Sequence, residues 1–449
     1  MFAIVPSCPV VAIRCPPRVS PWGERSRRWR EERIRMRVVV VGGGIGGLAL
    51  GAGLRRRGFE VAVFERDSDV RATGGYHLTL DEQAQAALRE LVAPETMRRL
   101  LASASALRLR DRDAYWDRRG RLLGHGPDLG GDAGIDVDRI TLRTLLAEEV
   151  GGDLHLGRTV THVDQGDRSA PRVLFTDAAS VPADLVVGAD GARSLVARQL
   201  AGGPTNSPAG IVGFSGRTLR GDLSRGERQR LGRRSGMAIG PRGAALYVGY
   251  LDPVGNAALD APGLRMSVTT GPTYIWGAMF PESVAAGLRP LHGGPLRDAL
   301  LGLFRERRWA EHTLEVIARA DPDSLAAYRF NAAPTRATEL APWSAGLVTA
   351  LGDAVHATPP TAGMGAGAAI RDAATLLRHL ADGATTTAEA VHRFEAGMRR
   401  RGSEVVTLAM RTVRLILATD TAVGAATTAA CTPVLAAAAR LRHRRSMPG

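Results

Sequence analysis

Apolar runs that end in glycine set the pattern of this chain. Residues 38–41 are four consecutive valines, followed by Gly42, Gly43 and Gly44; residues 183–187 are apolar apart from Asp184 and lead to Gly188; residues 347–351 lead to Gly352. Such runs read as strands buried on both faces, the habit of parallel sheets. After the first, small and aliphatic residues from Ile45 to Arg57 predict a helix, Gly58 its stop, and residues 60–64 a second strand. The rhythm changes over residues 206–335, where segments 211–219, 244–250, 265–270 and 274–280 alternate between turns. That alternation predicts an antiparallel sheet with two unlike faces. A glycine-opened helix is predicted from Gly363 to about His379, and apolar residues return at near-helical spacing over 403–418.

The expected fold class is α/β: a Rossmann-like nucleotide-binding domain over 36–205 and 336–402, an interleaved antiparallel β-sheet substrate domain over 206–335, and C-terminal helices over 403–449. Residues 1–35 read as a disordered extension, because Pro6, Pro9, Pro16, Pro17 and Pro21 precede an arginine-rich run. Met36 stands two residues before the first strand and is the expected functional start. The apolar stretch precedes the basic one and is broken by proline, the reverse of a secretory signal, so a cytoplasmic location is expected. Residues 421–439 are uncharged and mostly Ala and Thr. Their length suffices for a span, but Ala and Thr give little insertion energy. A packed or surface helix is the expectation, with membrane-surface contact the lesser alternative.

Composition narrows the function classes. The chain has 449 residues, 45% of them hydrophobic, so a sizeable core can be buried. It contains no lysine; all 59 basic residues are arginine, and the net charge is +14. Residues 1–35 hold eight Arg against three Glu, and Arg440, Arg442, Arg444 and Arg445 close the chain, so the body keeps only about +5. No basic stripe interleaved with aromatics appears, which argues against nucleic-acid binding. Cys8, Cys15 and Cys431 form neither a disulfide framework nor a CxxC pair, and the histidines lack metal-ligand spacing. No metal is expected.

The chemistry concentrates where the runs end. Gly42, Gly44 and Gly47 fit G-x-G-x-x-G at a strand-to-helix turn. The first allows the tight turn, the second lets the backbone approach a pyrophosphate, and the third lets helix and strand pack closely. Glu65 ends the second strand, where an acid accepts hydrogen bonds from a ribose 2′-hydroxyl and repels a 2′-phosphate. FAD and NAD both suit that site. The later runs each place an aspartate at a strand's C-terminal end, Asp190 with Gly191 and Asp353 after Gly352. Asp353 suits a polyol such as a ribityl chain, and Gly363 and Gly365 open a helix whose N-terminus stabilises negative charge on a reduced flavin ring. These two favour FAD.

The three motifs in this order resemble the fingerprint of the class A flavoprotein monooxygenases, the para-hydroxybenzoate hydroxylase-like family, over roughly residues 36–401. The resemblance implies that Gly42, Gly44, Gly47, Glu65 and Arg66 serve the ADP half of FAD. It ties Asp190 and Gly191 to both FAD and NAD(P)H, and sets Gly352 and Asp353 on the ribityl and pyrophosphate. Arg143, in DRITLRTLL, matches an arginine on a helix that faces the FAD. Two positions depart from the family pattern: Ala357 follows His356 where proline is common, and Gly367 stands where asparagine is common. Residues 74–80, GGYHLTL, resemble the crossing segment of tetracycline- and polyketide-modifying members, which makes Tyr76 and His77 candidates for flavin or substrate contact.

The implied reaction is reduction of FAD by NAD(P)H, formation of a flavin C4a-hydroperoxide with O2, and oxygen transfer to an aromatic, polyketide-like or other electron-rich molecule. His77 is the candidate catalytic residue, for deprotonating a phenol. On the sheet, Arg217, Tyr247 and Trp276 are the candidate substrate-binding residues, with Phe214 and Met279 beside them. A flavin halogenase of this fold would require a lysine, which the chain lacks. A flavin reductase or dehydrogenase of an isoprenoid or polyketide, and a flavin-bound redox sensor, are the alternatives.

Overall fold

A sheet of five parallel strands carries the motif ends on three adjacent strands. The computed structural model describes residues 36–71, 77–166, 170–252, 271–382 and 386–445. Arg37–Val41 lies at the centre of the parallel sheet, between Glu60–Phe64 on one side and Leu185–Gly188 on the other; Leu154–His155 and Val348–Ala350 form the edges. The chain moves outward from the central strand on one side and then crosses to the other, which creates a topological switch point at its C-terminal end. Valines on the two faces of the central strand enter two different cores: Val38 and Val40 pack with helices on one side, Val39 and Val41 with Phe64, Val173 and Val186 on the other. Burial on both faces is what the unbroken apolar run requires.

Helix Ile45–Arg56 follows the glycine turn, as expected, and Gly58 ends the turn after it with φ +83°. It packs against helices Arg139–Val150 and Gly365–Ala381. The close packing has a residue-level cause: a Cβ on Gly46 would meet Leu351 Cδ1 at 2.9 Å and Ala369 Cβ at 3.0 Å.

The second layer is a seven-stranded sheet in the order Ala326–Ala332, Ser207–Leu219, Thr273–Pro281, Ala245–Leu251, Gly236–Ile239, Ala114–Trp116, Leu122–His125. All pairings are antiparallel except Gly236–Ile239 with Ala114–Trp116. Two of its strands come from residues 36–205, so the sheet is not confined to 206–335; short strands with a Gly120 turn gave no long alternating pattern to read. The expected strand at 265–270 lies outside the described residues. A small sheet of His77–Leu80, Ile135–Asp138 and Ser105–Ala106 connects the two layers.

The boundary expected at 402/403 falls inside a continuous helix, Thr387–Ala418. Its start is fixed by a capping box of Thr386 and Glu389, and nothing between there and Ala418 stops it. Gly402 is tolerated mid-helix because it lets the helix approach His356, whose Cβ would lie 2.8 Å from a Cβ at 402. Helix Ala422–Arg445 follows and packs on Leu122–His125, leaving Val423, Val434 and Leu435 exposed. Among the described residues no single helix is long and apolar enough to cross a membrane; these last two reach that length and apolarity only together, across a 95° bend.

Candidate functional site

The three motifs converge at the C-terminal ends of three adjacent parallel strands. Gly42 has φ +108°, and a Cβ there would lie 2.5 Å from the carbonyl oxygen of Ala189, just before Asp190. A Cβ on Gly47 would lie 2.0 Å from the Gly42 carbonyl oxygen, which only glycine permits. Gly44 is different: the nearest atom to a Cβ there is Ala189 O at 3.8 Å, so its surface is open. Helix Ile45–Arg56 starts at Gly44 with no side-chain cap and no acid in its first turn. Free N–H groups and a positive dipole end face that opening, the arrangement that receives a pyrophosphate.

Glu65 is buried, and its carboxylate organises the turn. Gly43 N–H donates to Oε2 at 2.7 Å and Asp67 N–H to Oε1 at 3.0 Å. Arg143 closes the circuit: its Nε donates to Gly43 O at 2.8 Å and its guanidinium pairs with Glu65 at 3.3 Å and Asp67 at 3.8 Å. A carboxylate has about four acceptor positions, so Glu65 retains capacity for a ribose hydroxyl. Arg66 is exposed and lies 4.0 Å from Asp67, so it sits on the rim of the turn.

Asp190 caps the turn after its own strand: Ser194 Oγ donates to it at 2.5 Å and Leu195 N–H at 2.6 Å. Burial raises its pKa, against those donors. The carboxylate therefore holds local backbone, and Gly191, with φ +76° and open space where a Cβ would be, supplies the accessible edge.

Gly352 has φ +62° and starts the short helix Asp353–His356. Asp353 opens into the cleft, where burial pushes its pKa up while His356 and Arg139 pull it down. Arg139 is a residue the sequence reading passed over. DRITLRTLL offers two arginines one helical turn apart on one face, and the family resemblance marks Arg143 alone. Arg143 serves the glycine turn; Arg139, one turn nearer the helix start, senses Asp353, Arg143 and Tyr328. Asp353 thus has the Arg139 charge near enough to favour its ionised form. Gly363, at φ +66°, brings its loop beside Thr79, 3.7 Å from where a Cβ would be; Gly365 lies by Asp353.

The substrate-side candidates separate by strand parity. Along Thr273–Pro281, Tyr274, Trp276, Ala278 and Phe280 enter the core shared with helix Gly293–Glu306, and Phe214 joins them. Trp276 is therefore packed on the outer face of the sheet and is not a cleft residue. Met279 lies on the opposite face with Tyr247, Tyr328 and Met410. Tyr247 stacks on His77, ring centroids 6.1 Å apart, with its hydroxyl 3.5 Å from Nε2. His77 lies on the strand whose Thr79 donates to Asp136 at 2.6 Å, and Arg110 pairs with Asp136 at 2.5 Å. Burial lowers the His77 pKa and pushes the Tyr247 phenol up to about 12, so at neutral pH one is an uncharged imidazole and the other an intact O–H. Arg217 stands near the end of its strand, 3.4 Å from Asp321, and its charge also reaches Asp138, whose burial raises its pKa to about 6. Tyr76 lies outside the described residues. A separate concavity of ≈ 620 Å³, lined by Trp343, Ser344, His392, Arg393 and Arg399 among others, contains none of the motif residues.

Open Gly44, an uncapped helix start, a ribose-level carboxylate and a second aspartate at the switch point fit an FAD: adenosine and pyrophosphate at the first turn, the polyol at Asp353. Known proteins agree. Residues 304–408 match the FAD binding domain family, and residues 40–78 match an NAD(P)-binding Rossmann-like domain. The chain is 29% identical over 348 residues to a chloroplastic zeaxanthin epoxidase of Oryza sativa subsp. japonica, covering 75% of this chain and 48% of that protein. It is 28% identical to the dual O-methyltransferase/FAD-dependent monooxygenase elcB of Phaeosphaeria nodorum, covering 78% and 41%. The chain spans about half the length of the curated relatives it matches. Among solved structures, Klebsiella pneumoniae HpxO complexed with FAD and uric acid superposes with TM-score 0.69 at 23% identity, covering 89% of this chain and 92% of that one. An FAD-containing monooxygenase of Photorhabdus luminescens superposes with TM-score 0.70 at 22% identity, covering 84% and 98%.

Fold and site together fit a flavoprotein, and the fold is the one shared with these solved structures. The resemblance to the para-hydroxybenzoate hydroxylase-like family of class A flavoproteins rests on the FAD binding domain matched over residues 304–408.

Proposed function

We propose that the protein uses NAD(P)H and O2 to hydroxylate an aromatic, polyketide-like or other electron-rich small molecule. The observation that carries this reading is the His77–Tyr247 pair, an uncharged base and a phenol O–H on the face of the sheet opposite Trp276, with His77 on the strand whose Thr79 adjoins the loop of Gly363. Similarity to an epoxidase and to a monooxygenase supports oxygen transfer as the reaction class. When bound, FAD supplies the redox and oxygen chemistry that side chains lack.

The chain's own residues then have limited tasks. Glu65, Arg143 and the open face of Gly44 hold the nucleotide end. Asp353, faced by Arg139, holds the polyol. Met279 and Tyr328 form an apolar wall that keeps water away from the reacting atoms. Tyr247 donates a hydrogen bond to a substrate oxygen, and neutral His77 accepts a phenolic proton.

Turnover in labelled O2 tests the reading. NAD(P)H oxidation is screened against polycyclic aromatic, polyketide and isoprenoid compounds. Incorporation of one labelled oxygen into the product supports hydroxylation. A product without label identifies a reductase or dehydrogenase instead, and slow oxidation that no compound stimulates indicates a redox sensor.

A further inference from the structure

The helix that ends the FAD-binding half reaches the flavin cleft through a buried ionic chain. Asp372, on helix Gly365–Ala381, is 1% exposed and makes three contacts. It accepts from Gly352 N–H at 3.2 Å, lies 2.6 Å from His356 Nε2, and accepts from Arg401 at 2.9 Å. Gly352 is the glycine of the third motif, and Asp353 follows it. His356 is also 1% exposed and closes the short helix that Asp353 opens. Arg401 belongs to helix Thr387–Ala418, whose next residue is the Gly402 that packs against His356. Three elements thus meet on one carboxylate.

We propose that Asp372, held by His356 and Arg401, is a positioning residue for FAD: it fixes the Gly352 turn so that Asp353 is aimed for the flavin polyol, and it makes FAD retention depend on Arg401. The inference rests on the FAD reading above. Each link has a physical reason. Gly352 is in a left-handed conformation, which its own backbone does not prefer over others; a charge-assisted bond from its N–H selects it. A buried carboxylate needs compensating charge, and breaking one partner of such a pair is costly. Arg401 and His356 supply it from two different elements. Burial raises the Asp353 pKa, and His356 lies close enough to oppose that rise, which favours the ionised form that accepts from hydroxyls.

The charges facing this chain come from every packed element. Asp353 lies on the short helix itself, Asp372 on the glycine-opened helix, Arg401 on the long helix, and Arg139 at the start of helix Arg139–Val150, near enough to act on Asp353. Burial opposes charge on His356, but Asp372 and Asp353 override it and its pKa is raised. The imidazolium is present below that raised value and lost as pH rises through it. Positioning should therefore weaken on the alkaline side.

The test compares wild type with Arg401→Gln, Arg401→Lys, His356→Gln and Asp372→Asn. Each is stripped of flavin and titrated with FAD by fluorescence quenching, and the melting temperature of the stripped protein is read in parallel. The proposal expects Arg401→Gln to raise the FAD Kd by roughly tenfold or more, with Arg401→Lys in between. Wild-type Kd should rise at alkaline pH, and His356→Gln should remove that rise. A lowered melting temperature with unchanged Kd and an unaltered pH profile in Arg401→Gln and His356→Gln would overturn it, leaving the chain a purely structural support. Wild-type protein that takes up no FAD at all would defeat the underlying cofactor reading instead. If Asp372→Asn fails to fold, Arg401→Lys and the wild-type pH profile still decide.

Discussion

At the residue scale, Glu65 and Arg143 show how one short circuit defines a nucleotide site. Removing the carboxylate in Glu65→Ala leaves the Gly43 N–H and Arg143 short of an acceptor. Charge-assisted hydrogen bonds are worth about 1.5–3 kcal/mol, so FAD affinity should drop by roughly 10- to 100-fold, measurable by fluorescence titration. Gly42→Ala forces a side chain into a left-handed backbone against Ala189 O. The strain costs about 1–3 kcal/mol, before the steric contact is counted, and the melting temperature should fall with flavin content. His77 gives a pH signature. Burial lowers its pKa below the ordinary 6.5. As pH falls through 6.5, the unfolded chain takes up a proton that the folded imidazole resists, so stability declines on the acid side. In His77→Phe this component of the acid-side decline should vanish in melting curves from pH 8 to 5. If His77 also accepts the substrate proton, the variant loses hydroxylation of phenols across neutral pH, and full retention would remove that role.

At the element scale, the deciding variable is which face of a strand a residue occupies. Trp276 and Tyr247 sit on neighbouring antiparallel strands, and the reading from sequence grouped them in one pocket. Period-two alternation separates the faces but does not say which face a helix covers. Here helix Gly293–Glu306 covers the Trp276 face. Trp276→Ala should therefore cost about 3–5 kcal/mol of stability, with little change in substrate KM for the protein that remains folded. Tyr247→Phe should do the reverse, keeping the melting temperature and raising KM. Thermal melts and steady-state kinetics on the same two variants check the assignment. The parallel strands, the nucleotide helix and the order of the motifs were legible because buried strands and glycine turns leave local patterns. Arg139 was not, because two arginines on one helical face differ only in which charges the fold sets near them. The uninterrupted run of helix Thr387–Ala418 was hidden by Gly402, whose reason is His356, far away in sequence. Gly367 has a similar explanation: a Cβ there would stand 3.2 Å from Ala84 Cβ, so the departure from asparagine accompanies close packing of two helices.

At the scale of the whole molecule, the parallel sheet supplies a switch point, the mixed sheet supplies a wall, and the small sheet carrying His77 joins them. Because all motif residues lie at or after residue 36, a chain starting at Met36 should retain flavin and turnover, and loss of both would show that the leading segment contributes to the fold. The central claim is that the three glycine- and aspartate-bearing turns form one FAD site. The most direct measurement is the flavin content of the purified protein, read from its visible spectrum and from the cofactor released on denaturation. The account predicts a yellow protein that holds, or after stripping takes up, one FAD per chain. A colourless protein that takes up no FAD would contradict it.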